Sequence, residues 1–280
     1  MKKFLSYILL LFIAVSFLGL SSCYPEWKIA KSYIDSKPDL SVMVLPTDYI
    51  FKNNLKIDEA GDTTEMTVRE LDSALIAGSL FLKDISDSIF LETFINSMIV
   101  EFEKLGFKVY TESSLDSFLF IRSTAYILNI AQLEVEEHYY EYEDSENFDD
   151  YVYYKTIDLN ALSFNNWFEL TKLNPKEEGR KVFYATETIA DRINGYFTEN
   201  IFTGEVKYKY YISEIDTDII YRYCEILGRR YAGYTYDYIL NEYIAKNFPA
   251  NKKRRYYMRY NRQNNSLDPA SRNRFIILED

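Results

Sequence analysis

Hydrophobic and polar residues follow different periods in successive parts of the chain. Residues 40–46 are almost all apolar, which predicts a buried first strand that ends at Pro46. From 87 to 105, apolar residues recur every three or four positions, which predicts a helix with a broad buried stripe. Gly106 follows where helices favour glycine, and 107–110 predicts a short strand. This order of strand, helix and strand is typical of a crossover unit.

The period changes to two after Thr124. Residues 124–136 and 151–170 alternate between apolar and polar, and the acidic segment 141–150 separates them. The three parts together predict one long antiparallel hairpin with a charged tip. The other predicted elements are a loop at 47–67, a short helix at 113–120, strands at 181–190 and 205–212 joined through turns at 191–195 and 203–204, a helix at 214–247, and a terminal strand at 275–278.

These elements predict an α+β fold with two layers, in which helices pack on a mixed sheet that contains the long antiparallel hairpin. The element order resembles that of the exported lipoproteins of the curli-secretion family and of the amino-terminal domain of the Tol-system translocation protein. The resembling parts are 42–46, 105–110 and 125–135. They cover under half of the chain, so the resemblance carries over no function and no site residue.

Composition narrows the possible chemistry. The chain has one His and two Cys, so a Ser-His-Asp site would have only His138, and neither a His-rich zinc site nor a disulfide scaffold can form. It contains no nucleophile elbow, no Walker loop and no dinucleotide-binding glycine motif. We therefore expect a protein that is not an enzyme and needs no cofactor or metal.

The amino terminus predicts the cellular address. Residues 1–22 have two lysines and then a long apolar run, as in an export signal. The sequence Leu20-Ser21-Ser22-Cys23 resembles the bacterial lipobox, which implies cleavage before Cys23 and acylation of that residue. The apolar run is at the short end for spanning a bilayer, which favours cleavage over an uncleaved signal anchor. Two or three acyl chains would hold the protein to a membrane without crossing it.

The residues after Cys23 favour one membrane. Tyr24 stands where many enterobacterial lipoproteins that stay in the inner membrane have Asp. Residues 24–28 lack an acidic cluster like the surface-export signal of Bacteroidetes lipoproteins. We therefore expect an outer-membrane lipoprotein that faces the periplasm. Its Tyr- and Asn-rich composition and its Ser-Ser-Cys signal also resemble those of uncharacterised Bacteroidetes lipoproteins.

Four parts of the chain are predicted from its charge and turn residues. After the signal come a tether at 23–39, a single α+β domain at 40–250 and a basic tail at 251–280. The formal net charge is −11, yet residues 252–280 hold eight Lys/Arg against three Asp/Glu. An acidic, exported body does not suit a nucleic-acid partner. The tail would contact solvent, anionic lipid or the acidic hairpin.

Aromatic residues make up 17% of the chain, and many of its 27 Tyr lie beside the acidic segment. Tyr is enriched in binding sites, although it also replaces Phe and Leu at core boundaries. The candidate partner-binding residues are Tyr139, Tyr140, Tyr142, Tyr151, Tyr153 and Tyr154. The acidic segment itself could be a solvated tip, a dock for a basic partner or a weak calcium site, although no Gly fits the EF-hand pattern.

For two single residues the sequence predicts a structural role. His138 is predicted to be a surface histidine, with a pH-sensing role as the alternative. Cys224 falls on the apolar stripe of the last helix and is predicted to be a buried, inert thiol.

The leading hypothesis is a non-enzymatic membrane-anchored lipoprotein that serves as a structural or accessory docking component of a cell-envelope assembly. Its partners would be the membrane, through Cys23, and an envelope protein. The alternatives are a glycan-binding lipoprotein that uses the Tyr clusters and a carboxylate-dependent hydrolase, which would need two carboxylates across a cleft.

Overall fold

A computed structural model describes residues 24–56, 66–177 and 179–278. Its helices are α1 (Pro25–Asp35), α2 (Val68–Gly78), α3 (Asp87–Lys104), α4 (Leu115–Leu119) and α5 (Thr217–Asn247). Its strands are β1 (Leu40–Leu45), β2 (Phe51–Asn54), β3 (Phe107–Tyr110), β4 (Thr124–Phe148), β5 (Tyr151–Asn174), β6 (Lys181–Ala190), β7 (Arg192–Glu199), β8 (Val206–Ser213), β9 (Tyr257–Asn261), β10 (Ser266–Ala270) and β11 (Ile276–Leu278).

The chain divides into two compact units, where the sequence predicted one domain over 40–250. Among the described residues, the larger unit lies within 40–232 and 275–278, and the smaller unit comprises 24–39 and 233–274. The long helix α5 contributes residues to both units. The predicted tether and most of the predicted tail therefore belong to a folded unit, and its packing, described below, is the reason.

The larger unit is built on a seven-stranded mixed sheet. Its strand order is β11-β6-β5-β4-β1-β3, and β2 also pairs with β4. Strands β1 and β2 run parallel to β4, whereas β5 is antiparallel to both β4 and β6. The crossover from β1 through α3 to the parallel strand β3 and the long β4–β5 hairpin follow the prediction. The α+β fold class is confirmed.

Helix α3 and residues 217–232 of α5 form the second layer, against the sheet face that carries Phe164 and Phe168. Phe90 of α3 stacks on Phe164 with ring centroids 6.1 Å apart. The ring centroids of Tyr231 of α5 and Phe168 are 5.1 Å apart. Gly228 allows the two helices to approach, because a Cβ there would be 2.3 Å from the carbonyl oxygen of Phe94.

The smaller unit contains α1, residues 233–247 of α5 and the β9–β10 hairpin. Side chains occupy the edge of β9 that does not face β10. The Asp237 carboxylate accepts from the Tyr260 N–H at 2.8 Å, and the Asn241 side chain accepts from the Met258 N–H at 2.9 Å and donates to the Met258 carbonyl. Both side chains are buried. Buried polar bonds of this kind hold the hairpin on the helix.

Helix α1 was not predicted, because its two flanking prolines suggested a tether. Pro25 instead occupies the first helical turn, where its missing N–H costs nothing. Ala30 and Tyr33 are buried on one side of the helix, and Tyr33 contacts Tyr243 of α5 with ring centroids 4.5 Å apart. These contacts explain why 24–39 is part of a folded unit.

Candidate docking surface

The β4–β5 hairpin extends beyond the rest of the sheet. Strand β2 pairs with β4 as far as Glu137, and β6 pairs with β5 from Ala161 onward. In the ladders of the described chain, residues 139–148 and 151–160 pair only with each other. We call these two segments the arm. At about 3.4 Å per residue, the arm is about 30 Å long.

A buried polar cluster holds the base of the arm. Lys56 donates to the Glu137 carboxylate at 3.0 Å and to the Asn160 side chain at 2.7 Å. The Asn160 amide donates to Asp191 at 2.9 Å, and Asp191 accepts from the Ile215 N–H at 2.8 Å. The cluster thus fixes where β4 and β5 leave the sheet.

Glu137 belongs to the protein interior, although it lies in the acidic stretch of the sequence. Its carboxylate accepts from the N–H groups of Leu80 and Phe81 at 2.9 Å each. Burial alone would raise the pKa of Glu137, but these N–H groups and the Lys56 ammonium hold it below the ordinary value. Glu137 is therefore a charged structural group and no candidate for a catalytic acid with a raised pKa.

The six predicted Tyr residues lie on both faces of the arm. Residues that are opposite in an antiparallel pair share a face, and neighbours along a strand alternate. Tyr139 and Tyr154 therefore lie on the face that continues from the core, whereas Tyr140, Tyr142, Tyr151 and Tyr153 lie on the other face. Of the six, Tyr142 and Tyr153 are half-buried and the other four are exposed. The glycan-binding hypothesis stays a prediction, and it would have to use residues spread along the length of the arm.

A second hairpin, formed by β7 and β8, packs on the face of Tyr142. Tyr208 of β8 donates to the Asp144 carboxylate at 2.9 Å, and Phe197 of β7 lies 6.5 Å from Phe148 between ring centroids. Burial and the bond to Asp144 raise the pKa of the Tyr208 phenol. Gly195 leaves room for this contact, because a Cβ at this position would be 2.0 Å from the Tyr208 hydroxyl oxygen and would displace the Tyr208 side chain. The prediction of a turn at 191–195 was wrong, since this packing accommodates Asn194-Gly195 inside a strand.

The tip of the second hairpin presents two apolar side chains to solvent. Ile201 and Phe202 are 92% and 97% exposed. The turn that carries them is fixed locally, because Asn200 accepts from the Gly204 N–H at 2.7 Å and its own N–H bonds the Glu205 carbonyl at 2.9 Å. Gly204 has a φ of +65°, which glycine adopts without strain. Sequence reasoning missed this feature, although two apolar residues between Asn200 and Gly204 were the available signal.

The two hairpins together carry many exposed large side chains. We call this set the hairpin surface: Tyr139, Tyr140, Tyr151, Val152, Tyr154, Tyr196, Ile201, Phe202, Tyr210 and Tyr211. Scattered exposed apolar residues are normal on proteins, whereas a large group of them is a candidate for an interaction surface. The acidic residues Glu141, Glu143 and Glu146 are also exposed on the arm and give it a negative charge.

His138 is half-buried at the base of the arm. Its Nε2 is 2.8 Å from the Ser163 Oγ, and its Nδ1 is 3.0 Å from the Tyr139 carbonyl oxygen. Ser163 lies in a central strand and pairs with Glu136 on one side and Thr188 on the other. Its surroundings differ from a nucleophile elbow, because the ladders occupy the backbone that would otherwise bind an oxyanion. The contact orders the sheet surface.

Cys224 is buried in α5, as predicted, and its thiol donates to the Phe90 carbonyl at 3.2 Å. Burial raises the pKa of this thiol, which makes the reactive thiolate scarce. Cys23, the predicted lipidation site, lies outside the described residues, so its acylation stays a prediction.

Within the described ranges, no three or more His, Cys, Asp or Glu side chains are grouped so as to hold a metal ion. None of the described helices is long and apolar enough to cross a bilayer. The chain matches no known protein-family model and no curated protein sequence.

Proposed function

We propose that the protein is a membrane-anchored lipoprotein that docks an envelope protein through its hairpin surface. In this proposal the protein is not an enzyme. It is held by acyl chains on Cys23, faces the periplasm from the outer membrane, and acts as an accessory or structural component of an envelope assembly. The observation that carries the proposal is the pair of projecting hairpins with ten large apolar and aromatic side chains exposed.

The tip residues supply the largest share of the expected binding energy. Ile201 and Phe202 are almost fully exposed in the free protein. Complete burial of such side chains contributes roughly 1.5–3 kcal/mol each. Because the backbone of their turn is already fixed by its own hydrogen bonds, little backbone entropy is lost on docking. The tip therefore has the properties of a binding hot spot.

The charge of the larger unit limits the kind of partner. Residues 40–232 and 275–280 hold eighteen Lys/Arg against thirty-seven Asp/Glu, a formal charge of −19. The fitting partner has an apolar pocket for the tip and a neutral or basic rim. Charge steering would speed the association at low ionic strength and would be screened within about 8–10 Å in physiological salt.

The test compares two exposed apolar pairs. In the variant Ile201→Ser/Phe202→Ser the tip loses its apolar side chains, and in the matched control Leu119→Ser/Phe120→Ser the same change is made at the end of α4. The control residues are also exposed, at 60% and 86%. Cells that express each chain are crosslinked, their envelopes are solubilised, and proteins that co-purify are quantified.

We expect the wild type and the control to recover the same envelope protein. The tip variant should recover at least about thirtyfold less of it, since a hot spot contributes about 2 kcal/mol or more to binding. Trp fluorescence should show both variants folded. If the control loses the partner as severely as the tip variant, or if the wild type recovers none, the proposal is refuted.

A further inference from the structure

The turn before β9 presents three cations to solvent. Lys252, Lys253 and Arg255 are exposed, and we call them the basic turn. Arg254, which lies between them, is instead half-buried: its guanidinium donates to the Asn241 carbonyl at 3.2 Å and to the Tyr256 carbonyl at 3.2 Å. These bonds order the backbone of the turn, from which the three exposed cationic side chains extend.

The basic turn lies beside the first described residue of the chain. Glu26 of α1 is 1% exposed and accepts from the Arg255 N–H at 2.7 Å and from the Tyr256 N–H at 3.4 Å. The rings of Tyr24 and Tyr256 meet edge to face at 4.4 Å. Because Tyr24 directly follows Cys23, the basic turn is next to the predicted point of acylation.

The smaller unit has the charge and the aromatic residues of a membrane-facing surface. Residues 24–39 and 233–274 hold twelve Lys/Arg against six Asp/Glu, a formal charge of +6, although the chain as a whole is at −11. Tyr24 is exposed, and Trp27 and Tyr256 are half-buried. Tyr and Trp favour the headgroup region of a bilayer, where their apolar rings and polar atoms are both accommodated.

We propose that the basic turn binds the anionic headgroups of the bilayer that carries the anchor. This inference rests on the proposed lipidation of Cys23, since the acyl chains would bring Tyr24 and the turn to the headgroups. Helix α1 begins at Pro25, so no long tether separates the turn from the lipid. Each Lys or Arg near an anionic surface strengthens binding by about fivefold.

The experiment measures how the lipidated full-length product divides between two kinds of vesicle. The protein, purified in detergent, is diluted into equal amounts of zwitterionic vesicles and of vesicles that contain phosphatidylglycerol, and the two populations are then separated. The variant Lys252→Glu/Lys253→Glu/Arg255→Glu reverses the three charges of the basic turn. The control variant Lys207→Glu/Lys209→Glu reverses two exposed lysines of β8 in the larger unit.

We expect the wild type and the control to favour the anionic vesicles at least fivefold at low salt, and the triple variant to lose that preference. The wild-type preference should weaken in high salt, because screening shortens the range of the attraction. Equal division of the wild type, or an unchanged preference in the triple variant, overturns the inference. If the protein enters neither vesicle population, the proposed lipid anchor on Cys23 is refuted instead. Failure of the lipid anchor and failure of the headgroup contact are therefore distinguishable.

Discussion

Replacing Lys56 by Met is the most direct test of how the arm is held. The Lys56 and Glu137 side chains are 2% and 0% exposed, and their charged groups are 3.0 Å apart. The substitution removes the cation and leaves the carboxylate buried. Breaking such a pair from one side costs about 3–5 kcal/mol. Since backbone N–H groups still donate to Glu137, we expect a loss near the lower limit, about 3 kcal/mol.

The two tryptophans allow this loss to be measured in one unit. Trp167 lies in β5 of the larger unit and Trp27 in α1 of the smaller unit. In a Trp27→Phe background, urea unfolding followed by fluorescence therefore reports on the larger unit alone. The control is Lys207→Met, which breaks a surface pair with Glu205 and should cost less than about 1 kcal/mol.

A double variant tests the pairwise reasoning. Lys56→Met/Glu137→Gln removes both charges, so its loss of unfolding free energy should be smaller than the sum of the two single losses. If Lys56→Met costs no more than the Lys207→Met control, the buried pair does not stabilise the base of the arm, and the reasoning is refuted.

Three further predictions concern single residues. Gly195→Ala should destabilise the larger unit by about 1–3 kcal/mol in the same titration, because its Cβ overlaps Tyr208, whereas Gly78→Ala, with open space around it, should be close to neutral. Cys224 should react with a thiol reagent only after unfolding, and labelling of the native protein at Cys224, located by peptide mapping, would contradict its burial. Burial raises the pKa of Asp237 to about 7, so its ionisation opposes folding as pH rises from about 4 to 7. In a Trp167→Phe background, the smaller unit should therefore be more stable at pH 5 than at pH 8, by about 2–3 kcal/mol, and Asp237→Asn should remove that difference.

The elements with a clear period could be predicted from the sequence. The first strand, α3, the β4–β5 hairpin and α5 follow local patterns that the structure confirms. The missed helix α2 also had a local signal, because Thr67 and Glu70 form a reciprocal capping box three residues apart. The predicted loop over 47–67 ends at this N-cap, so the helix that follows is compatible with that prediction.

Other features depend on partners that are distant in sequence. Glu137 stands among acidic residues that are half-buried or exposed, and its burial is explained by Lys56, which lies 81 positions earlier. The β9–β10 hairpin is held by Asp237, Asn241 and Glu26, the last of which is 229 positions from Arg255. The Tyr residues of the arm were predicted as a surface, but their division between two faces follows from the pairing register.

The two-stranded form of the arm has a consequence for self-association. In the described ladders, the outer edges of residues 139–148 and 151–160 have no further strand beside them. An open edge of this length can pair with the edge of another copy and begin a fibre. Glu141, Glu143 and Glu146 are exposed along that segment, so two copies that approach edge to edge bring like charges together. The acidic run therefore opposes aggregation, and replacing these glutamates by glutamines should make the arm associate with other copies of itself.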